Sequence, residues 1–370
     1  MKAIIIGFIL FSVTLEILCW IVPVNHRGDH RPEYREALDE IEYRTMTRTG
    51  HPYFGTVYRS EEKVNNLGFT DAHDFPYQKK WNEFVVAIFG GSVAHNFAVD
   101  AAEEFAELLR KNNPGLGDKK VVVLNMAIHA FKQPQQFIVS SFFHPSIDLS
   151  INIDGFNEFR EGSPEYPIEY PSNADYFLVS SRDRAREVYY SGLLYDLQGF
   201  LDKLPLWISP LAYSQSYHRL WSLAQRGLGY LIYDVILERT HPKSSKPFPL
   251  MIDRFHVWRR WTLDQSRFLA TGKVPAYFFI QPNQYVPDSK VLTEKEKSEA
   301  YTGEDSGLAA WYKLLQDEVP ELRRKGVRIF DLSHVYRETI DTVYIDNCCH
   351  VNKLGNLIMA RAIAKEVRIP

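Results

Sequence analysis

A serine, an asparagine and an aspartate–histidine pair stand in this sequence in segments that follow apolar runs or turns. Val85-Val86-Ala87-Ile88-Phe89 breaks on Gly90-Gly91, and Ser92 follows at once. Such a run predicts a buried strand closing in a tight turn, because glycine bends the backbone without a Cβ clash. The hydroxyl is left at the carboxyl end of the strand, the edge where open α/β sheets bind ligands. Two roles suit a serine there: a nucleophile, or a cap for the next helix. Asn125-Met126-Ala127-Ile128-His129-Ala130-Phe131 and Gly155-Phe156-Asn157-Glu158 close two further runs. Near the carboxyl terminus comes Tyr344-Ile345-Asp346-Asn347-Cys348-Cys349-His350. A parallel sheet that gathers these turns at one edge brings a hydroxyl, an amide donor and an acid–imidazole pair together.

The elements needed to do so are legible as alternating runs. Strands are predicted at 120–125, 147–154, 276–281 and 327–331 after the one that precedes Ser92. Helices are predicted at 258–270 and 308–325, and Asp100-Ala101-Ala102-Glu103 resembles a capping box that opens a helix ended by Asn113-Pro114-Gly115. Strand–helix alternation predicts an α/β fold, a flavodoxin-like parallel sheet with helices on both faces. A long interruption at about 160–255, rich in tyrosine, tryptophan and leucine at near-helical spacing, predicts a helical insertion. It would pack on the sheet, form a lid or substrate wall, lie against a membrane, or dock another protein.

The chain has 370 residues, 45% hydrophobic and 24% charged, which suits a globular protein with a substantial core. A net charge of -3 carries no polyanion-binding signature, so nucleic acid is not an expected partner. Three cysteines without a C-x-x-C pair suggest neither a zinc site nor a disulfide framework. Adjacent Cys348 and Cys349 are expected as reduced or packed thiols, since a vicinal disulfide needs a strained geometry. No metal or cofactor is expected. Residues 1–24 are apolar over about one bilayer span and lack a cleavage motif, predicting an uncleaved transmembrane signal anchor, with Glu16 near the interface or facing a partner helix. Residues 25–80 are predicted to be loop-rich and packed on the core, and 81–370 to form the α/β domain with its insertion. The charged run Glu294-Lys295-Glu296-Lys297 reads as a solvated loop or helix end.

Taken together, Gly90-Gly91-Ser92, Gly155-Phe156-Asn157-Glu158 and His350 with its preceding acid resemble the SGNH (GDSL-like) hydrolases over roughly residues 84–160 and 275–365. The resemblance implies that Ser92 is a nucleophile, His350 its base and Asp346 the carboxylate that orients the base. It implies an oxyanion hole from the backbone N–H groups of Ser92 and Ala130 and the side chain of Asn157. This chain departs from the family twice. Alanine replaces the usual glycine at Ala130, and the family's acid position, three residues before the histidine, holds Asn347. Asp346 is the expected acid because the Cys348-Cys349 pair reads as a one-residue insertion. His129 and Gln281 are candidate substrate contacts.

The function so implied is a membrane-anchored serine esterase outside the cytoplasm, periplasmic or extracellular, acting on an acylated carbohydrate or other envelope ester. Two alternatives stay open. One is an O-acyltransferase working with a polytopic membrane partner that supplies the acyl donor. The other is a non-catalytic scaffold of an envelope assembly.

Overall fold

In the computed structural model, the described residues are 48–58, 63–160 and 250–369. The expected span at 1–24 and nearly all of the expected insertion lie outside them. Among the described residues no helix is long and apolar enough to cross a membrane.

Five parallel strands form the sheet: β3 (Glu83–Gly90), β4 (Lys120–Asn125), β5 (Leu149–Asp154), β6 (Ala276–Ile280) and β7 (Arg328–Asp331). Their spatial order is β4-β3-β5-β6-β7, the order of flavodoxin-like sheets. Every residue of β3, β5 and β6 is buried. That is the expected pattern of a parallel strand covered on both faces, and it suits the continuous apolar runs of β3 and β6. Strand β5 alternates instead, and its buried polar side chains are paired: Asn152 Nδ2 donates to Ser150 Oγ at 3.0 Å and Asn152 Oδ1 accepts from Gln265 Nε2 at 2.7 Å.

Long helices cover the sheet. Helix α1 (Ser92–Asn112) packs on α7 (Lys353–Glu366), while α4 (Met251–Thr271) packs against α2 (Gln135–Phe143), the single turn α3 (Asn157–Arg160) and α6 (Ser306–Arg324). A short helix, α5 (Glu294–Glu299), precedes α6. The predicted helix start at Asp100 is corrected by the structure: α1 already begins at Ser92. Val93, Phe97, Ala101, Phe105 and Leu109 form one buried stripe through the whole element, so nothing interrupts it at Asp100. The Asp100 carboxylate instead accepts a hydrogen bond from Asn356 Nδ2 of α7 at 2.7 Å.

Ahead of the sheet, β1 (Arg48–His51) and β2 (Gly55–Tyr58) pair as an antiparallel hairpin. Phe54, Phe69 and Phe75 are buried, and Phe75 meets Phe143 of α2 at 4.8 Å between ring centroids. Asp71 accepts the backbone N–H of Asn125 at 2.6 Å, at the carboxyl end of β4. Burying three such rings contributes on the order of 2 kcal/mol each, enough to hold this segment against the core.

Candidate active site

The turn after β3 can be made only by glycines. Gly90 has φ +148, and a Cβ there would stand 2.1 Å from the Ile153 carbonyl oxygen of the neighbouring strand. A Cβ on Gly91 would stand 2.0 Å from Asn157 Nδ2. The two turns that carry Ser92 and Asn157, after β3 and β5, are therefore pressed together at the switch point of the strand order, where such sheets form a crevice. Ser92 is the first residue of α1. The N-cap position is Gly91, and no side chain caps the helix. Capping is thus not the role of the Ser92 hydroxyl.

Its partner is His350, whose Nε2 lies 2.7 Å from Ser92 Oγ. On the other side of the ring, Nδ1 pairs with Asp346 Oδ2. The remaining oxygen, Asp346 Oδ1, accepts backbone N–H groups from Cys348 at 3.0 Å and from Cys349 and His350 at 3.2 Å. One neutral tautomer satisfies both contacts of the ring, with the proton on Nδ1 facing the carboxylate and Nε2 accepting from the serine. Burial would raise the Asp346 pKa, but the hydrogen bond and charge of His350 and the backbone donors bring it down to about 2. Burial likewise opposes the charged form of His350, and Asp346 overcomes it, leaving the imidazole above its ordinary value. Asn347, the alternative acid position, is exposed.

The loop that carries this pair is held from behind. Three consecutive residues after β6 bind its successive carbonyls: Gln284 Nε2 donates to Asp346 O at 2.9 Å, Tyr285 Oη to Asn347 O at 2.9 Å, and Asn283 Nδ2 to Cys348 O at 3.3 Å. Upstream, Glu296 Oε1 accepts the N–H groups of Val343 and Tyr344 at 2.8 and 3.0 Å. Its Oε2 accepts from Lys290 Nζ at 2.8 Å, and both side chains are fully buried. Burial would raise the Glu296 pKa, but Lys290 and three backbone N–H groups hold it below the ordinary carboxylate range. The expectation of a solvated charged run is therefore corrected at Glu296. A Thr293 capping box turns this residue inward while Glu294 and Lys297 remain outside. Threonine three residues before a glutamate was the available sequence signal for it.

The other expected site residues fall around this centre. Asn157 is buried and donates from Nδ2 to the Phe131 carbonyl at 2.8 Å, which fixes its amide beside Gly91. Ala130 sits at φ +66, the left-handed region that explains a usual preference for glycine there. His129 is half-buried, its ring 6.5 Å from that of His350 and 4.6 Å from that of His95. Its backbone N–H donates to Tyr58 Oη at 3.3 Å. Gln281 follows β6 at the same sheet edge but is only 2% exposed, so it lies beneath the site and not on an open wall. Two acids that sequence reasoning left unassigned, Asp154 and Glu158, are buried behind Asn157, and burial raises both pKa values. Glu158 accepts the N–H groups of Gln133 and Gly155, tying the turn after β5 to the segment after β4.

No family model and no curated protein matches this chain. Among solved structures it is similar to a GDSL-like lipase from Bacteroides thetaiotaomicron, with 9% identity, 77% of this chain and 88% of that one covered, and a TM-score of 0.35. It is also similar to an acetyl xylan esterase, at 10% identity, 76% and 97% coverage and a TM-score of 0.35. A gut microbial diltiazem-metabolizing enzyme gives 10% identity, 78% and 48% coverage and a TM-score of 0.37. At such identities and scores the likeness fixes no function for this chain.

Proposed function

We propose that this protein is a serine-dependent ester hydrolase of the SGNH type. The observation that carries the reading is the continuous relay from Asp346 through His350 to Ser92, closed at 2.7 Å between imidazole and hydroxyl. In the proposed mechanism His350 Nε2 takes the Ser92 proton as Oγ attacks an ester carbonyl, and Asp346 holds the tautomer and stabilises the imidazolium. The oxyanion is received by the backbone N–H groups of Ser92 and Ala130 and by an N–H of Asn157, each worth about 3 kcal/mol in the transition state. His350 then returns its proton to the leaving alcohol, and water, activated by the same imidazole, releases the acyl group.

The preferred substrate is an acylated carbohydrate or other ester of a cell envelope, met by an enzyme tethered through residues 1–24. A carbohydrate hydroxyl in place of water would make the same site an O-acyltransferase. That variant needs a polytopic partner, since a single tether cannot pass an acyl donor through a membrane. A scaffold without chemistry is disfavoured, because it has no use for an aligned hydroxyl, imidazole and carboxylate.

Fluorophosphonate labelling of the full-length protein tests the reading. Stoichiometric phosphonylation located at Ser92, absent in Ser92→Ala and His350→Ala, is the expected result. A folded protein that remains unlabelled would overturn it. Release of acetate from acetylated sugars, in water and with an added sugar acceptor, then separates hydrolysis from transfer.

A further inference from the structure

Two thiols lie inside the loop that carries the acid–imidazole pair. Cys348 and Cys349 are consecutive, are not joined by a disulfide, and place their Sγ atoms 2.9 Å apart. Cys348 is half-buried and Cys349 is buried, so of the two residues Cys348 is the one that reaches solvent. The peptide units that bear them donate two of the three backbone hydrogen bonds to Asp346 Oδ1. Any change in the backbone at these residues is therefore felt by the carboxylate that orients His350.

We propose that Cys348 and Cys349 form an oxidative modification site, a dithiol that a peroxide closes to a vicinal disulfide, disabling the Asp346–His350 pair. The effect on activity rests on the hydrolase reading above; the modification does not. Cys348 attacks the peroxide O–O bond, which breaks to give a sulfenic acid and water, the thiol proton leaving with the water. The Cys349 sulfur then displaces the sulfenic hydroxyl as a second water, forming the S–S bond. Two thiols lose two protons and two electrons, and hydrogen peroxide takes them up to become two waters.

Covalent geometry says what closure does to the loop. Neighbouring Cα atoms lie about 3.8 Å apart across a trans peptide, below the roughly 4.4–6.8 Å that ordinary disulfides span. Closing the small ring therefore strains the Cys348–Cys349 peptide, whose N–H is one of the donors to Asp346 Oδ1. A disulfide under such constraint is readily reduced, so the modification reverses with a dithiol reagent and does not staple the fold.

The test uses full-length protein with EDTA present, because Cys348, Cys349 and His350 offer donor atoms within 4.8 Å of one another and a bound metal would mimic oxidation. Hydrogen peroxide is added, and the peptide spanning both cysteines is weighed after alkylation of remaining thiols. The expected peptide is lighter by two hydrogens and unalkylated. Fluorophosphonate labelling of Ser92 slows by about tenfold or more and recovers with dithiothreitol. Cys348→Ser and Cys349→Ser, each compared with its own untreated rate, lose the response, and having both keeps the test usable if one fails to fold. Thiols that stay alkylatable, or a disulfide that forms while labelling continues unchanged, would overturn the proposal. If the reduced protein is never labelled, the hydrolase reading falls. The peptide mass and the downfield His350 Nδ1 proton resonance, lost on oxidation and restored by reduction, then decide this one.

Discussion

His350 is the residue on which opposing effects are most evenly matched. Burial disfavours its charged form, the adjacent carboxylate favours it, and the carboxylate wins. Attack on a substrate needs the neutral imidazole, so the rate of fluorophosphonate labelling should fall with acidity through a midpoint above 6.5. Asp346→Asn removes the charge and the carboxylate acceptor while burial remains. The midpoint should then drop below 6.5, and the plateau rate should fall by about 10³–10⁴-fold through loss of the correct tautomer. An unchanged pH profile in this variant would show that Asp346 does not act on the imidazole. The linked stabilities run in opposite directions. His350 contributes stability below 6.5 that is lost as pH rises through its folded value, and Asp346 contributes stability above 3.8 that is lost as pH falls toward about 2. Ala130 supplies an independent check. Its left-handed backbone costs about 1–2 kcal/mol, part of which glycine gives back through unfolded-state entropy. Ala130→Gly should therefore raise stability by about 0.5–1 kcal/mol, seen as a higher denaturant midpoint at constant slope.

At the scale of elements, the loop from Val343 to His350 is positioned by side chains from outside it. Glu296 gathers Lys290 and two backbone donors of that loop in a site with no water access. Glu296→Gln keeps the volume but leaves the Lys290 ammonium without its counter-charge, and should cost about 3–5 kcal/mol in chemical denaturation. Replacing Lys290 by methionine in the same chain should recover part of that loss; no recovery would mean that the carboxylate's backbone contacts dominate. This part of the site was hard to read in advance. Ser92, Asn157 and His350 announce themselves because each is a reactive type set against a turn. Glu296 stands between two lysines in a run whose ordinary fate is solvent, and Asn283-Gln284-Tyr285 follows a proline as any surface turn might. Their work is done by hydrogen bonds to main-chain atoms 47 to 65 residues away in sequence, and such contacts leave no periodic mark. The start of α1 was misread for a related reason: Asp100-Ala101-Ala102-Glu103 satisfies the local rule for a helix start, but the apolar stripe already established from Ser92 overrides it.

Across the whole molecule, the sheet was the most legible feature, because β3 and β6, buried on both faces, are apolar almost throughout, and β5 keeps an apolar residue at every second position. Strand ends were less so; β5, expected from 147, starts at Leu149, after Asp148 has turned to accept the Val85 N–H at 2.8 Å. Residues 1–24 make a prediction at this scale. Full-length protein should sediment with membranes and resist an alkaline carbonate wash, and a chain lacking these residues should not. Full-length protein found in the supernatant would remove the tether from the proposed function and leave the relay untouched.

Ser92 and His350 are 258 positions apart in the sequence, and their contact closes the relay. At about 5–20 residues per second, synthesis leaves the serine without its base for some ten to fifty seconds. For that time it is an ordinary alcohol. On the proposed mechanism a nascent chain passing ester-rich surroundings can therefore neither acylate itself nor attack a neighbour. By the same mechanism reactivity switches on only once the strands between have assembled, so every labelled molecule in a preparation is a folded one.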